Sequence, residues 1–377
     1  MPRNINDRLT QLNTRRKGTD RITSLNSTFA ADIASASVLT ENYQKRASTS
    51  QPHTRYALGA MQEVGPSYTQ IGIDTATRVG KQLAALSMAV DFRLQGSVPL
   101  NVHIRGVSDV DLLTLATGYW TYDRHGARSL AGSYTSPDAR SSVTVLTGVR
   151  TEAERLLRSA YPAATVNCAG GKCIALSGGS LARPIDVVPS HWHETADYQT
   201  SYQEHDRGIV ILDKRVPEAL NNMPFRHIKR VHDLDTSLLG GLKKAIRLTK
   251  NVKNDAENIV SATKLPSYDI AALLYHADKN ALRSGSYYEL AILQETQRFL
   301  DWCWTNKEAA KQLRTPDNSR EILNTPEKLS ALLTISSEMD TLAKEVAKEQ
   351  VVTLRYAEPS RMQIDEALRK AYIPLAV

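Results

Sequence analysis

The sequence predicts an α+β chain in two lobes, strands first and helices after. Three observations carry this: a long helical periodicity at about 67–92, strict alternation of apolar and polar residues from Val98 to Arg105, and helical patterning from about 206 to the end. The domain division that follows is a basic N-terminal extension at 1–60, a core at 61–205 and a helical domain at 206–377.

Each element has its own signal. Helical patches at Asn6–Arg16 and Ser24–Ser37 precede the polar stretch RASTSQPHT, which reads as a linker or loop. Val79, Leu83, Leu86 and Val90 then recur at i, i+4, i+7 and i+11, one face of an amphipathic helix that ends at Gln95-Gly96-Ser97. Val98, Leu100, Val102 and Ile104 interleave with Pro99, Asn101, His103 and Arg105, as in a half-buried strand. Gly106 allows a turn, and SDVDLLTL is expected to return as a second strand paired with the first. Strand side chains alternate, so Asp109 and Asp111 would project from one face while Val110 and Leu112 pack on the other. A polar, Gly-rich loop is expected at 118–141 and a short helix at about 150–160. Strands are expected at Lys172–Ser177 and Leu181–Val188, separated by Gly178-Gly179.

Composition narrows the class. The 377 residues are 41% hydrophobic and 23% charged, with a mean hydropathy of -0.35, which describes a globular chain, neither disordered nor membrane-embedded. MPRNINDRLTQLNTRRKG has early positive charge but no apolar core after it, so it is not a secretory signal, and no run reaches bilayer-spanning length. Three cysteines, Cys168, Cys173 and Cys303, form no C-x-x-C pair and suggest a reduced, cytoplasmic protein. The net charge of +7 is uneven: residues 207–253 hold eleven Lys/Arg against four Asp/Glu, and the first 60 hold nine against four. Two basic regions suggest phosphate-bearing partners, nucleotides or nucleic acid; a charge run taken alone is more often a solvated surface.

Carboxylates near a core need something to pair with. Asp186, in ARPIDVVP, would join Asp109 and Asp111 on a neighbouring strand. Three crowded carboxylates raise one another's pKa unless a cation neutralises them. Oxygen donors suit Mg²⁺, which takes one or two carboxylates together with substrate phosphates, and two such ions can clamp the attacking and leaving oxygens of a phosphoryl transfer. Gly96 permits close backbone approach to a phosphate, and Ser97 can donate to it.

The order Gly-Ser, eleven residues, D-x-D and then a later strand aspartate resembles the signature of the DNA polymerase β-like nucleotidyltransferases. GSVPLNVHIRGVSDVDLL looks most like the bacterial cyclic-oligonucleotide synthases, relatives of cyclic GMP-AMP synthase and oligoadenylate synthase. The resemblance spans roughly 60–300 and is strongest at 79–113, 181–190 and 240–275. It implies a bilobal fold, a nucleotidyltransferase sheet domain and a C-terminal helical domain joined by a long helix. Asp109, Asp111 and Asp186 match the family's metal-binding acids, and Gly96 and Ser97 its phosphate-binding turn. The resemblance further implies two Mg²⁺ ions, with Mn²⁺ as a substitute, ribonucleoside triphosphates as substrates with ATP among them, and an anti-phage signalling role beside a nucleotide-activated effector. Nucleic acid is neither required nor excluded as a partner, and no membrane is implied.

The helical half adds to this. In LLGGLKKAIRLTKNVK an apolar stripe of Leu238, Leu239, Leu242, Ala245 and Ile246 lies beside Lys243, Arg247 and Lys250, spaced four and three apart. KLPSYDIAALLYH opens a second helix after Pro266, with Ser267 as the expected N-cap. By resemblance, Lys250 and the Ser267–Tyr268 pair contact the triphosphate, and Arg247 shares that role. Without the acidic triplet, Lys250 would read as a solvated lysine and Ser267 as a plain cap. SHWHET, with His191, His193 and Glu194, lacks the spacing of a zinc site and reads as a strand exit near the cleft. Trp302 and Trp304 read as helical core. Two other readings stand beside cyclic synthesis: linear oligonucleotide synthesis or modification of a protein or RNA by the same chemistry, and a non-catalytic nucleotide or nucleic-acid sensor.

Overall fold

The computed structural model describes residues 4–17, 42–136 and 138–375, so the expected helix at Ser24–Ser37 lies outside the described residues. The chain folds as the α+β, two-lobed protein expected. Helix α1 (Ile5–Lys17) and α2 (Pro52–Met61) come first and pack on each other. RASTSQPHT is not a linker, because Pro52 starts α2 within it and seven of the ten α2 residues are buried. Four residues on, Pro66 opens α3 (Pro66–Leu83), so the helix joining the lobes is in two segments.

Among the described residues seven strands form one sheet: β1 (Val90–Gln95), β2 (Val110–Tyr122), β3 (Thr165–Asn167), β4 (Ile174–Ser177), β5 (Ile185–Glu194), β6 (Gly208–Asp213) and β7 (Glu218–Asn222). The order is β1-β2-β5-β4-β3, with β6 pairing the far half of β5 and carrying β7. Helix α4 (Ser142–Ala160) lies in the crossover from β2 to the parallel β5 and starts eight residues before the expected short helix. Val110, Leu112, Ile185 and Val187 face α3 and α4, while Leu113, Leu115 and Val188 form a smaller core on the other face.

Several expectations are corrected. The periodicity at 67–92 spans two elements: α3 ends at Leu83, and Val90 already begins β1. Residues 98–105 are not a strand. Val102 N–H donates to the Ser97 carbonyl, and Asn101 sits at φ 57, so local turns replace a ladder. The partner of β2 is therefore β1, in antiparallel register with Gln95 opposite Asp111. The expected loop at 118–141 begins later, because β2 runs on to Tyr122. Nor is the chain helical throughout from 206, since β6 and β7 extend the sheet.

The helical lobe holds α5 (Pro224–Ser237), α6 (Gly241–Asn254), α7 (Ser267–Leu274), α8 (Leu290–Thr305), α9 (Pro326–Gln350) and α10 (Arg361–Lys370). α5 and α6 are separate because Leu239 and Gly240 both take positive φ. Its core also includes Leu12 of α1, Tyr56 and Leu58 of α2, and Leu100 and Val102 of the 98–105 segment. The N-terminal helices thus belong to this lobe's packing. Trp302 of α8 packs against the same core, as expected, whereas Trp304 does not: its ring lies under Lys307 Nζ at 3.6 Å.

Candidate active site

Strand register builds the acidic site. Asp111 stands opposite Gln95 on one side and Asp186 on the other, and Asp109 immediately precedes β2. Both strand aspartates point away from the α3/α4 core, because their neighbours Val110, Leu112, Ile185 and Val187 fill it. Gly96 follows β1 at φ 78, and a Cβ there would collide with the Asp111 carboxylate. Only glycine satisfies both the left-handed turn and that approach.

The aspartates open on a cleft of about 350 Å³ between sheet and helical lobe, whose lining includes Gly96, Ser97, Asp109, Asp111, Lys250 and Ser267. Roomier hollows exist elsewhere, one of about 610 Å³ beside Lys243 and Glu289, so the chemistry of this cleft rather than its size selects it. Asp186 lies beside the lining. One of its oxygens accepts the Cys173 thiol at 3.2 Å, and Cys173 is fixed by Arg150, which donates to the carbonyls of Gly170, Gly171 and Cys173.

Charges in the cleft perturb one another. Burial, then the charges of Asp109 and Asp186, push the Asp111 carboxyl up to about 7. Asp186 is raised by burial and by Asp109. Burial and neighbouring Lys253 bring Lys250 down to about 7, against the opposing pull of Asp109 and Asp111. Among the described residues no three His, Cys, Asp or Glu side chains enclose a metal position by themselves. The donors are nonetheless all carboxylate oxygens, and Mg²⁺ needs only one or two of these beside substrate phosphates, so the residues fit a hard divalent cation.

Of the residues expected from sequence, Gly96, Ser97, Asp109, Asp111, Lys250, Ser267 and Tyr268 share the cleft. Arg247 does not. Its guanidinium donates to the carbonyls of Met61 at 2.8 Å and Asn101 at 2.7 Å, so it ties α6 to α2 and to the turn after Ser97. Lys250 Nζ donates to the Val102 carbonyl at 2.7 Å from within the cleft wall. Ser267 is the first helical residue rather than the N-cap, because Pro266 takes the extended N-cap conformation. Tyr268 donates its hydroxyl to Asp317 at 3.1 Å, and its ring stacks on His227 at 4.0 Å between centroids.

The cleft also holds Lys253, His227 and Asn222, which sequence reasoning missed. Lys253 was within reach, since it extends the Lys243, Arg247, Lys250 spacing by three; His227 and Asn222 carry no signal in a single chain. SHWHET is not near the cleft, because it ends β5, away from Asp186 at the strand's start, and His191 is a fully buried histidine bonded to Ser142.

The C-terminal helical domain family of the cGAS/DncV-like nucleotidyltransferases matches residues 233–341. The chain is 44% identical over 296 residues to a cyclic dinucleotide synthase CdnE of Yersinia aleksiciae, covering 78% of this chain and 77% of that protein. It is 28% identical over 303 residues to a c-di-GMP synthase of Capnocytophaga granulosa, covering 74% and 84%. In fold it resembles a STING-associated CdnE c-di-GMP synthase from Flavobacteriaceae sp., with a TM-score of 0.68 at 23% identity, covering 90% of this chain and 97% of the other.

Proposed function

The chain belongs to the cGAS/DncV-like nucleotidyltransferases, and on that premise we propose that it joins ribonucleoside triphosphates into a cyclic di- or trinucleotide second messenger. The observation that carries the reading is the convergence of Asp109, Asp111 and the Gly96–Ser97 turn on a cleft that also holds Lys250. The Yersinia relative, a named cyclic dinucleotide synthase, supports cyclisation.

The site performs its part by placement and charge. The backbone at Gly96 and the Ser97 hydroxyl receive a phosphate, and the ammonium of Lys250 opposes the triphosphate's negative charge. Ser267 donates from the first turn of α7, and Asp317 holds Tyr268 beside it. Asp109 and Asp111, with Asp186 behind them, would hold Mg²⁺ or Mn²⁺. When bound, the metal neutralises phosphate charge and acidifies the attacking ribose hydroxyl. That hydroxyl attacks the α-phosphate of the neighbouring nucleotide, a P–O bond forms, and pyrophosphate leaves; a further round closes the ring. The product would serve anti-phage signalling through an effector that binds it.

Incubation of the protein with all four labelled ribonucleoside triphosphates and Mg²⁺ or Mn²⁺, followed by phosphatase and mass analysis, tests this. A phosphatase-resistant cyclic product is expected. A phosphatase-sensitive chain would replace the reading with linear synthesis, and absence of both product and nucleotide binding would discard it.

A further inference from the structure

Several cations of the helical lobe meet acids. Arg8 meets Glu338, Arg15 meets Asp255 at 2.6 Å, and Lys328 meets Asp269 at 2.7 Å. The two lysines on the cleft do not. Among the described residues neither Lys250 nor Lys253 has a carboxylate within ion-pair distance, although they are only 2% and 7% exposed. Lys250 at least has a short bond to the Val102 carbonyl. Lys253 Nζ has two long contacts, to the Leu265 carbonyl at 3.3 Å and to Ser267 Oγ at 3.4 Å. Burial alone depresses it, with no acid offsetting the cost. The two ammonium groups also repel each other, since Lys253 is the largest charge lowering Lys250.

A buried ammonium left without an acid is costly to keep unless an anion arrives. Both lysines and Ser267 line one cleft, so that anion enters there. We propose that Lys253, acting with Ser267, is a second polyphosphate-binding cation of this site, which grips the triphosphate of the bound nucleotide while Lys250 also secures the turn after Ser97. The assignment rests on the nucleotidyltransferase reading, but its test does not require turnover. A lysine retained only to cap the Leu265 carbonyl would matter to stability and not to phosphate.

The experiment measures binding of inorganic tripolyphosphate to the full chain by calorimetry, alongside KM for nucleoside triphosphates and the thermal midpoint. Lys253→Met is expected to weaken tripolyphosphate binding about tenfold and to raise KM by a similar factor, in keeping with loss of a charge-assisted hydrogen bond. Lys253→Arg should restore most of both, and Ser267→Ala should weaken binding less than Lys253→Met. Folded Lys253→Met protein with unchanged tripolyphosphate affinity and KM would overturn the proposal, as would a fall in thermal midpoint alone. Should Lys253→Met fail to fold, Lys253→Gln, which keeps a donor for the Leu265 carbonyl but carries no charge, takes its place: weakened tripolyphosphate binding would support the proposal and unchanged binding would overturn it. If the parent protein turns over no nucleotide yet binds tripolyphosphate in a Lys253-dependent way, the proposal stands and the synthase reading fails.

Discussion

Burial and the charges of Asp109 and Asp186 push the Asp111 carboxyl up to about 7, from an ordinary value of 3.8. The folded state therefore binds a proton more tightly than the unfolded chain, and linkage fixes the sign. In metal-free protein the Asp111 contribution to stability is full below about 3.8 and is lost as pH rises through about 7. Thermal unfolding in EDTA between pH 4 and 8 should show this decline, and Asp111→Asn should flatten it. Added Mg²⁺ should restore stability at the upper end. That the acids and the Gly-Ser turn come together was legible in sequence because residue type and spacing carry it. The place of Arg247 outside the cleft was not legible, for the opposite reason. Helical spacing says which side chains share a face, but not which neighbour that face meets.

At the scale of elements, the 98–105 segment shows how alternation misleads. Its apolar residues alternate because they fill two different cores: Val98 goes into the sheet lobe, and Leu100 and Val102 go into the helical lobe. Arg247 and Lys250 of α6 hold it by the carbonyls of Asn101 and Val102. Arg247→Met would strand the buried Met61 carbonyl and free the part-buried Asn101 carbonyl, at a cost of about 1–3 kcal/mol, readable as a lowered midpoint in urea. Because the same segment carries the Ser97 turn, catalytic rate should fall with it. Strands β6 and β7 escaped the sequence reading because they are short and lie within a region dominated by helical patterning.

Across the whole molecule, part of the uneven charge is internal. Arg8 and Arg15 pair with acids of the helical lobe, and Arg16 and Arg55 donate to backbone carbonyls. In the second basic region, Lys243, Arg247, Lys250 and Lys253 are buried. The described part of the N-terminus is thus a structural piece of the lobe, and deletion of residues 1–17 should lower the thermal midpoint markedly, not merely remove a partner contact. The two-lobed division was legible because strand and helix signals occupy separate stretches. The contribution of the N-terminal helices to the far lobe was not, since contact between segments some two hundred residues apart leaves no local mark.

The measurement closest to the central claim compares the parent protein with an Asp109→Asn, Asp111→Asn variant, following pyrophosphate release from ribonucleoside triphosphates and thermal unfolding of the same samples. Turnover should fall by at least about a thousandfold with the thermal midpoint unchanged or raised, because crowded buried charge is removed. Retained turnover, or loss of the fold together with activity, would contradict that claim.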